Sequence, residues 1–147
     1  MEKPEQVMMD FSMDQSNPTS KIWHLIASKA ILVEDDQKAY LTDPHMLFYK
    51  ENVPDTKVKS KTGVIQTETH DVVLSSDVVA VSLKDANQLY TSELFYSASK
   101  HQFSTHKDVK VVRPSGVTFG HGMVASEDLS DIKIFHEKSL VKSTTSQ

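Results

Sequence analysis

The chain has 147 residues, the size of a single domain, and its 38% hydrophobic and 24% charged residues are ordinary for a globular protein that folds in water. A formal net charge of −4, with no basic run of five or more residues, excludes a general attraction to nucleic acid. The chain has no cysteine, which excludes disulfides, zinc–thiolate sites and cysteine nucleophiles.

Apolar residues recur with a period of two from the N-terminus onward. EQVMMDFSM, KIWHLIA and HMLFYK are the first three examples, and roughly a dozen such short segments follow one another along the chain. Turn-prone pairs separate them, among them Asp35-Asp36, Asp43-Pro44 and Ser76-Asp77. Strands at this spacing, with no long helical pattern between them, predict an all-β sandwich, barrel or jellyroll.

One segment also fits a helix. In TSKIWHLIASKAIL, Trp23, Ile26, Ala27 and Ala30 could form a helical stripe. The segment is rich in isoleucine, which is β-branched, and every neighbouring segment is extended. We therefore predict a strand here.

Several of the predicted strands are apolar on both faces, as in WHLI, MLFY and ELFY. An open antiparallel sheet with one wet face would alternate more cleanly between apolar and polar residues. Each face is therefore expected to pack against something, either a second sheet or an apolar ligand.

The seven histidines form no catalytic or metal-binding pattern. No pair has HExxH or HxH spacing, and His101 and His106, which flank one short strand, have only Asp108 as a nearby carboxylate. There is no Gly-x-Ser-x-Gly elbow, P-loop or dinucleotide-binding glycine fingerprint. We predict that the protein is not an enzyme and uses no metal ion and no cofactor.

The composition at the two ends sets the expected domain boundaries. We expect one domain over residues 6–137, preceded by a disordered N-terminus over residues 1–5. The last residues, LVKSTTSQ, are polar, and we expect residues 138–147 to form a disordered tail.

The order of these segments resembles the LptC family, the membrane-anchored periplasmic component of the lipopolysaccharide export machine. The resemblance runs from about Trp23 to Phe135 through WHLIASKA, AYLTDPHMLFYKE, VKSKTGVIQTETHDVVLSSDVVAV, LYTSELFYSASKHQFSTHKDVKV and TFGHGMVASEDLSDIKIF. No single stretch is specific, and their order and spacing together carry the resemblance. One departure is Ser76, in the step LSSDV, where the family often has glycine.

This resemblance implies a twisted antiparallel β-jellyroll, a folded-over sheet with an open apolar groove. In the family, the groove receives the lipid A acyl chains of lipopolysaccharide from an inner-membrane ABC transporter, whose membrane subunits dock at the N-terminal edge. An LptA-like bridge protein docks at the C-terminal edge by pairing of edge strands.

The resemblance also implies a periplasmic location and an N-terminal membrane helix. No apolar run here approaches the ~20 residues that span a bilayer, and the N-terminus lacks the features of a signal peptide. We expect that the helix was removed from this chain and that Met1 is an introduced start.

The strand periodicity and the family's inward positions together suggest which residues line the groove. They are Trp23, Leu25, Ala27, Leu47, Tyr49, Val72, Leu74, Leu94, Tyr96 and Met123. Each could equally pack in an ordinary core, because a groove wall and a core wall have the same composition.

Three of the four glycines, Gly116, Gly120 and Gly122, lie within seven residues near the C-terminus. Gly120 and Gly122 share one face of a strand, where a glycine permits a bulge or the close approach of another backbone. One interpretation is a turn followed by a bulge that curves the strand. The other is that these two glycines lie on the edge where the bridge protein docks.

Two other functions stay open from the sequence. One is a soluble LptA-like bridge protein with the same fold and ligand. The other is a β-sandwich adhesion or carbohydrate-binding module, which would present polar and aromatic residues on an outer platform and have no affinity for lipid.

Overall fold

The computed structural model describes residues 5–136 and 138–141, and strands account for most of them. The strands are β1 (Glu5–Ser16), β2 (Lys21–Val33), β3 (Lys38–Thr42), β4 (His45–Lys50), β5 (Val53–Lys59), β6 (Thr62–Gln66), β7 (Val72–Ser82), β8 (Gln88–Ser97), β9 (Gln102–Arg113), β10 (Gly116–Ser126), β11 (Ile132–Ile134) and β12 (Lys138–Val141). The prediction of an all-β fold is confirmed, and the segment that also fitted a helix forms β2. Among the described residues, no helix is long and apolar enough to cross a membrane.

The strands form one 12-stranded antiparallel sheet that follows the chain as a meander. β3 and β4 act as one long strand, because both pair with β2 in the same register, with Lys29 opposite Thr42 and Ile26 opposite His45. β5 and β6 continue one another in the same way along β4 and β3. The sheet therefore consists of long strands that are interrupted near their midpoints.

The interruptions lie side by side and form a fold line across the sheet. Asp10, Asp43 and Asp77 have φ values of 52°, 56° and 52°, a left-handed conformation that Asp tolerates better than most residues. Backbone hydrogen bonds keep the sheet joined across this line, from Asp43 N to Lys61 O at 2.8 Å and from Lys61 N to Ser76 O at 2.9 Å. The sheet bends here without breaking.

Bending at the fold line gives two layers that pack face to face. The first layer ends in the turns at residues 17–20, 51–52, 83–87 and 114–115, and the second layer ends in those at 34–37, 67–71, 98–101 and 127–131. The ring of Phe48 in the first layer lies 4.9 Å from that of Tyr96 and 5.1 Å from that of Phe103 in the second. The predicted folded-over β-jellyroll is confirmed. We call the gap between the two rows of turns, opposite the fold line, the mouth.

The space between the layers holds the hydrophobic core. Its largest fully buried side chains are Trp23, Tyr96, Phe48, Phe103, Leu25, Met46, Ile65, Leu74, Leu89, Leu94, Met123 and Leu129. Burial of each such side chain contributes about 1.5–3 kcal/mol. The open groove that the resemblance implies is thus a packed core in this structure.

The two ends of the chain form the two edges of the sheet. β1 pairs with β2 along its whole length, and β11 and β12 pair with successive parts of β10. The predicted disordered tail is wrong for residues 138–141, which form β12, while residues 142–147 lie outside the described part. The predicted disordered N-terminus is wrong for Glu5, which begins β1, and residues 1–4 are not described.

Candidate functional site

Most of the side chains predicted to line a groove lie inside, between the two layers. Each of them is at most 5% exposed, and they come from β2, β7, β8 and β10: Trp23, Leu25, Ala27, Val72, Leu74, Leu94, Tyr96 and Met123. They are members of one contiguous apolar cluster. Whether they contact lipid is not tested by their burial, and their role as lipid ligands stays a prediction.

The inward orientation predicted for Leu47 and Tyr49 is wrong. Both are half-buried, whereas Met46 and Phe48, which alternate with them along β4, are 2% and 1% exposed. Lys21 Nζ lies 5.5 Å from the centre of the Tyr49 ring. All four residues are apolar or aromatic, so alternation alone could not decide which pair faces inward.

Three aromatic rings from the two layers meet at the centre of the interior. Phe48, Tyr96 and Phe103 are mutually in contact, with centroid separations of 4.9, 5.1 and 5.4 Å. Of the three, only Tyr96 was predicted from the sequence to face inward. HQFSTH alternates about Phe103, so strand periodicity could have marked it as inward-facing.

Two polar atoms are buried in this apolar interior without a hydrogen-bond partner among the described residues. They are Trp23 Nε1 and Thr56 Oγ1. Both residues flank Phe48 in one cross-strand row, because Phe48 pairs with Trp23 on one side and with Thr56 on the other. A buried polar group without a partner costs about 1–3 kcal/mol, so these two atoms are donors that an oxygen-bearing ligand could satisfy.

A cavity of about 240 Å³ lies at the mouth, above the aromatic rings. Its apolar floor includes Phe48, and its rim is formed by charged and polar side chains of both layers. The lining residues are Phe48, Tyr49, Lys50, Asp55, His101, Ser126, Glu127 and Asp128. The cavity joins the surface to the interior at the point where the two layers separate.

An ion pair crosses the mouth beside this cavity. Lys50 Nζ, at the end of β4, donates to Asp128 Oδ2, in the turn between β10 and β11, at 2.8 Å. Burial alone would raise the pKa of Asp128, but hydrogen bonds from Lys50, Ser130 and Ser126 hold it well below its usual value. The hydrogen bond from Lys50 correspondingly raises the pKa of that lysine. Asp128 is therefore ionised at neutral pH and ties the second layer to the first.

Glu127 anchors the other side of the cavity within the second layer. Its Oε2 accepts a hydrogen bond from the Tyr96 hydroxyl at 2.6 Å and lies 3.1 Å from His101 Nδ1. Burial, followed by the hydrogen bond to Glu127, raises the pKa of Tyr96. The Tyr96 ring thus belongs to the apolar interior while its hydroxyl reaches the polar rim.

Asp55, on β5, is a buried carboxyl at the rim of the cavity. Its side chain is buried, and Oδ2 has no hydrogen-bond partner among the described residues. Burial and the nearby charge of Asp128 raise its pKa. The first layer thus presents an unfavourably placed carboxyl to the mouth.

The glycines in β10 lie at a bulge. The register between β9 and β10 shifts between His121 and Met123, and Gly122 has a φ of 91°. The edge of β10 is not free there, because Phe135 N donates to Gly122 O at 3.0 Å and His121 N donates to Phe135 O at 2.9 Å. The bulge interpretation is confirmed. The chain's own C-terminal segment pairs with β10 at His121 and Gly122, so Gly122 does not lie on a free strand edge, and the docking of a bridge protein at Gly120 and Gly122 stays a prediction.

Known proteins similar to this chain share this architecture. The family model "LptC: Lipopolysaccharide-assembly, LptC-related" matches residues 1–138. The fold is similar to the crystal structure of LptH, the LptA homologous periplasmic component of the lipopolysaccharide transport device from Pseudomonas aeruginosa, with a TM-score of 0.61 and 11% identity over 96% of each chain. At that identity the likeness shows the fold alone. No curated protein sequence matches the chain significantly.

Proposed function

Because the chain belongs to the LptC family, whose members act in lipopolysaccharide transport, we propose that it holds the acyl chains of lipopolysaccharide between the two layers of its sheet. The observation that carries this proposal is the interior itself. It is an apolar space bounded by two layers that, within the described residues, are joined by backbone only at the fold line, and it has a cavity at its open side.

Acyl chains can occupy this interior only if the layers move apart, because the core side chains are now in contact. Contacts between side chains and methylene groups would then replace contacts among side chains, and each buried CH₂ contributes about 0.8 kcal/mol. The fold line is a suitable hinge, since its aspartates already adopt the left-handed conformation that bends the strands. The ion pair between Lys50 and Asp128 is the polar contact that opening would break first.

The two unpartnered donors indicate where the polar part of a lipid chain would lie. Trp23 Nε1 and Thr56 Oγ1 could donate to the carbonyl or hydroxyl oxygens that accompany acyl chains. These donors lie in one row with Phe48, so a chain inserted beside that ring would meet both apolar surface and hydrogen-bond donors.

The two edges of the sheet would allow the domain to pair, edge to edge, with similar domains on both sides. We place the receiving contact, with the membrane subunits of an inner-membrane ABC transporter, at β1, whose outer side has no partner strand among the described residues. We place the passing contact, with an LptA-like bridge protein, at β11 and β12, which now form the C-terminal edge. Pairing of edge strands would extend the interior from one domain to the next.

The family is periplasmic, and we place the domain on the periplasmic side of the inner membrane, anchored there by an N-terminal helix. Its role is the binding and transfer of lipid, and proteins of the LptC and LptA type are not enzymes.

Photocrosslinking tests the proposal at two phenylalanines with opposite orientations. A photoreactive phenylalanine analogue is placed at Phe48, which faces inward, or at Phe95, which faces outward on β8 in the second layer, and the protein is irradiated with purified lipopolysaccharide. We expect an adduct at position 48 and none at 95. Phe103 is a second inward position, and circular dichroism establishes that each variant is folded.

Adducts at Phe95 alone, or at neither inward position in folded protein, would contradict the proposal. The interior would then be an ordinary sandwich core.

A further inference from the structure

The outer face of the first layer has a pattern that the proposed function does not use. One cross-strand row on this face runs through eight strands, each residue directly opposite the next: Ile26, His45, Lys59, Val79, Tyr90, Lys110, Phe119 and Lys138. With strands about 4.8 Å apart, this row is roughly 34 Å long.

A second row lies beside the first, nearer the turns of the same layer. It runs through His24, Leu47, Lys57, Val81, Gln88, Val112 and Val117. We call the two rows together the outer face. It interleaves lysine and histidine with aliphatic and aromatic side chains.

The charge on this face is positive although the chain carries a net charge of −4. Four lysines belong to the two rows. Both rows continue onto β1, at Ser12 and Asp14, so Asp14 is the carboxylate in line with them, and it contacts His24. Two further carboxylates lie beside the rows toward the fold line, where Asp43 Oδ1 is 3.8 Å from His45 Nε2 and Asp108 contacts His121. Lys57 and Lys59 have no ion-pair partner among the described residues, so their charges are available to a partner.

Several apolar members of the face are accessible to a partner. Ile26, Tyr90 and Phe119 are 46%, 37% and 39% exposed. A hollow of about 490 Å³ lies between the lysines of β5 and the aliphatic side chains on either side, and it is lined by His24, Ile26, His45, Met46, Leu47, Lys57, Val58, Lys59, Val79 and Val81.

The outer face of the second layer differs, which makes the pattern specific to one side of the protein. Its longest apolar run consists of Val7, Ile31, Tyr40, Val64, Val73 and Phe95, and the same row continues through Ser104 and Val124 to a single lysine, Lys133, at the sheet edge. In the neighbouring row, Lys29 is accompanied by Glu93. That side therefore lacks the positive charge of the first layer.

We propose that the outer face of the first layer docks on an anionic lipid membrane surface. Lysines near an anionic surface are attracted to its headgroups, and exposed aliphatic and aromatic side chains insert at the boundary with the acyl region. Lysine stems can lie along such a boundary while their ammonium groups reach the headgroups. The face points away from the interior, so this docking is separate from the binding of lipopolysaccharide between the layers.

Vesicle flotation tests the proposal with the full chain. The vesicles contain phosphatidylcholine with or without phosphatidylglycerol, and no lipopolysaccharide. The face variant carries Lys57→Gln, Lys59→Gln and Lys110→Gln. The control variant carries Lys29→Gln, Lys38→Gln and Lys61→Gln, which changes the net charge equally but lies outside the face.

We expect flotation with the anionic vesicles, weakened by salt, and little with neutral ones. Each lysine near the surface is worth roughly a fivefold change in binding, so the face variant should bind roughly a hundredfold more weakly than wild type. The control variant should bind far better than the face variant.

Three results would overturn the proposal. They are no flotation of wild type with anionic vesicles, equal flotation with neutral vesicles, and equal losses in the face and control variants. A protein that binds an acidic polypeptide on this face, rather than a membrane, would give the first of these results.

Discussion

Lys50 and Asp128, 78 residues apart in the chain, join the two layers through a 2.8 Å hydrogen bond at the mouth of the interior. The pair lies on the side opposite the fold line, where no described part of the backbone connects the layers. It therefore opposes the opening that lipid binding requires.

Removing this contact should speed the binding of lipopolysaccharide. Lys50→Met keeps much of the lysine stem and removes the charge, while Asp128 retains its hydrogen bonds from Ser126 and Ser130. Because the Lys50 side chain is 59% exposed, we expect little loss of stability but severalfold faster association, measured by stopped-flow fluorescence of Trp23. Lys61→Met is the matched control, since Lys61 also forms an ion pair, at 2.9 Å with Asp77, but at the fold line. Equal acceleration by both variants would argue against a role for the mouth.

Asp55→Asn should stabilise the protein at neutral pH. Burial and Asp128 raise the pKa of Asp55, so its ionised form is disfavoured in the folded state. Because the folded-state pKa is raised, the protonated carboxyl favours folding. This stabilisation is fully present below the unfolded-state pKa of about 3.9 and is lost as the pH rises through the folded-state pKa. The amide removes the buried charge, and we expect a gain of about 1 kcal/mol at neutral pH that shrinks toward about pH 4. Thermal unfolding at both pH values measures this, and a destabilised variant at neutral pH would contradict the interpretation.

Thr56→Val should raise the stability of the protein without lipid and lower its affinity for lipid. Valine has nearly the shape of threonine and lacks the buried hydroxyl, which has no partner among the described residues. We expect the unfolding free energy to rise by about 1 kcal/mol while lipopolysaccharide affinity falls severalfold, because a donor is lost. Ser82→Ala, in the next strand of the same row, is the control, since the Ser82 hydroxyl already accepts a hydrogen bond from Asp85 N. If Thr56→Val left affinity unchanged, the hydroxyl would have no part in binding.

Gly122→Ala should destabilise the C-terminal edge more than Gly120→Ala does. A Cβ at position 122 would lie 3.3 Å from Phe135 Cδ2, and the φ of 91° is unfavourable for any residue with a side chain. Gly120 does not have a positive φ. We expect Gly122→Ala to cost about 1–2 kcal/mol, measured by chemical denaturation, with a smaller cost at position 120. Similar costs at both positions would argue against the strained bulge.

The strands were predictable because their apolar periodicity is local. In KIWHLIA, His24 lies between Trp23 and Leu25 and marks the opposite face as the polar one, and the prediction that Trp23 and Leu25 face inward is correct. In HMLFYK both faces of the strand are apolar, so the alternation does not show which face points inward. The contacts of Phe48 with the second layer show that Met46 and Phe48 form the inward face.

The mouth and the C-terminal edge could not be predicted from the sequence, because both depend on contacts between distant residues. Lys50 and Asp128 meet only because the sheet folds over, and nothing local to either residue marks the other. The polar composition of the last residues favoured a disordered tail over a strand. β12 forms because it pairs with β10, and its own sequence does not show that contact. Nothing in the sequence sets Asp10, Asp43 and Asp77 apart as one group. Their left-handed backbone conformations and their alignment in the sheet identify them as the fold line.

The measurement that tests the central claim most directly is the distance between the layers with and without lipopolysaccharide. Because the chain has no cysteine, spin labels can be attached at Glu51→Cys and Lys100→Cys, on turns facing each other across the mouth, and the distance measured by double electron–electron resonance. A control pair at Glu34→Cys and Lys100→Cys lies within the second layer. We predict that lipopolysaccharide lengthens the distance across the mouth and leaves the control distance unchanged. Bound lipopolysaccharide with no change across the mouth would contradict insertion between the layers.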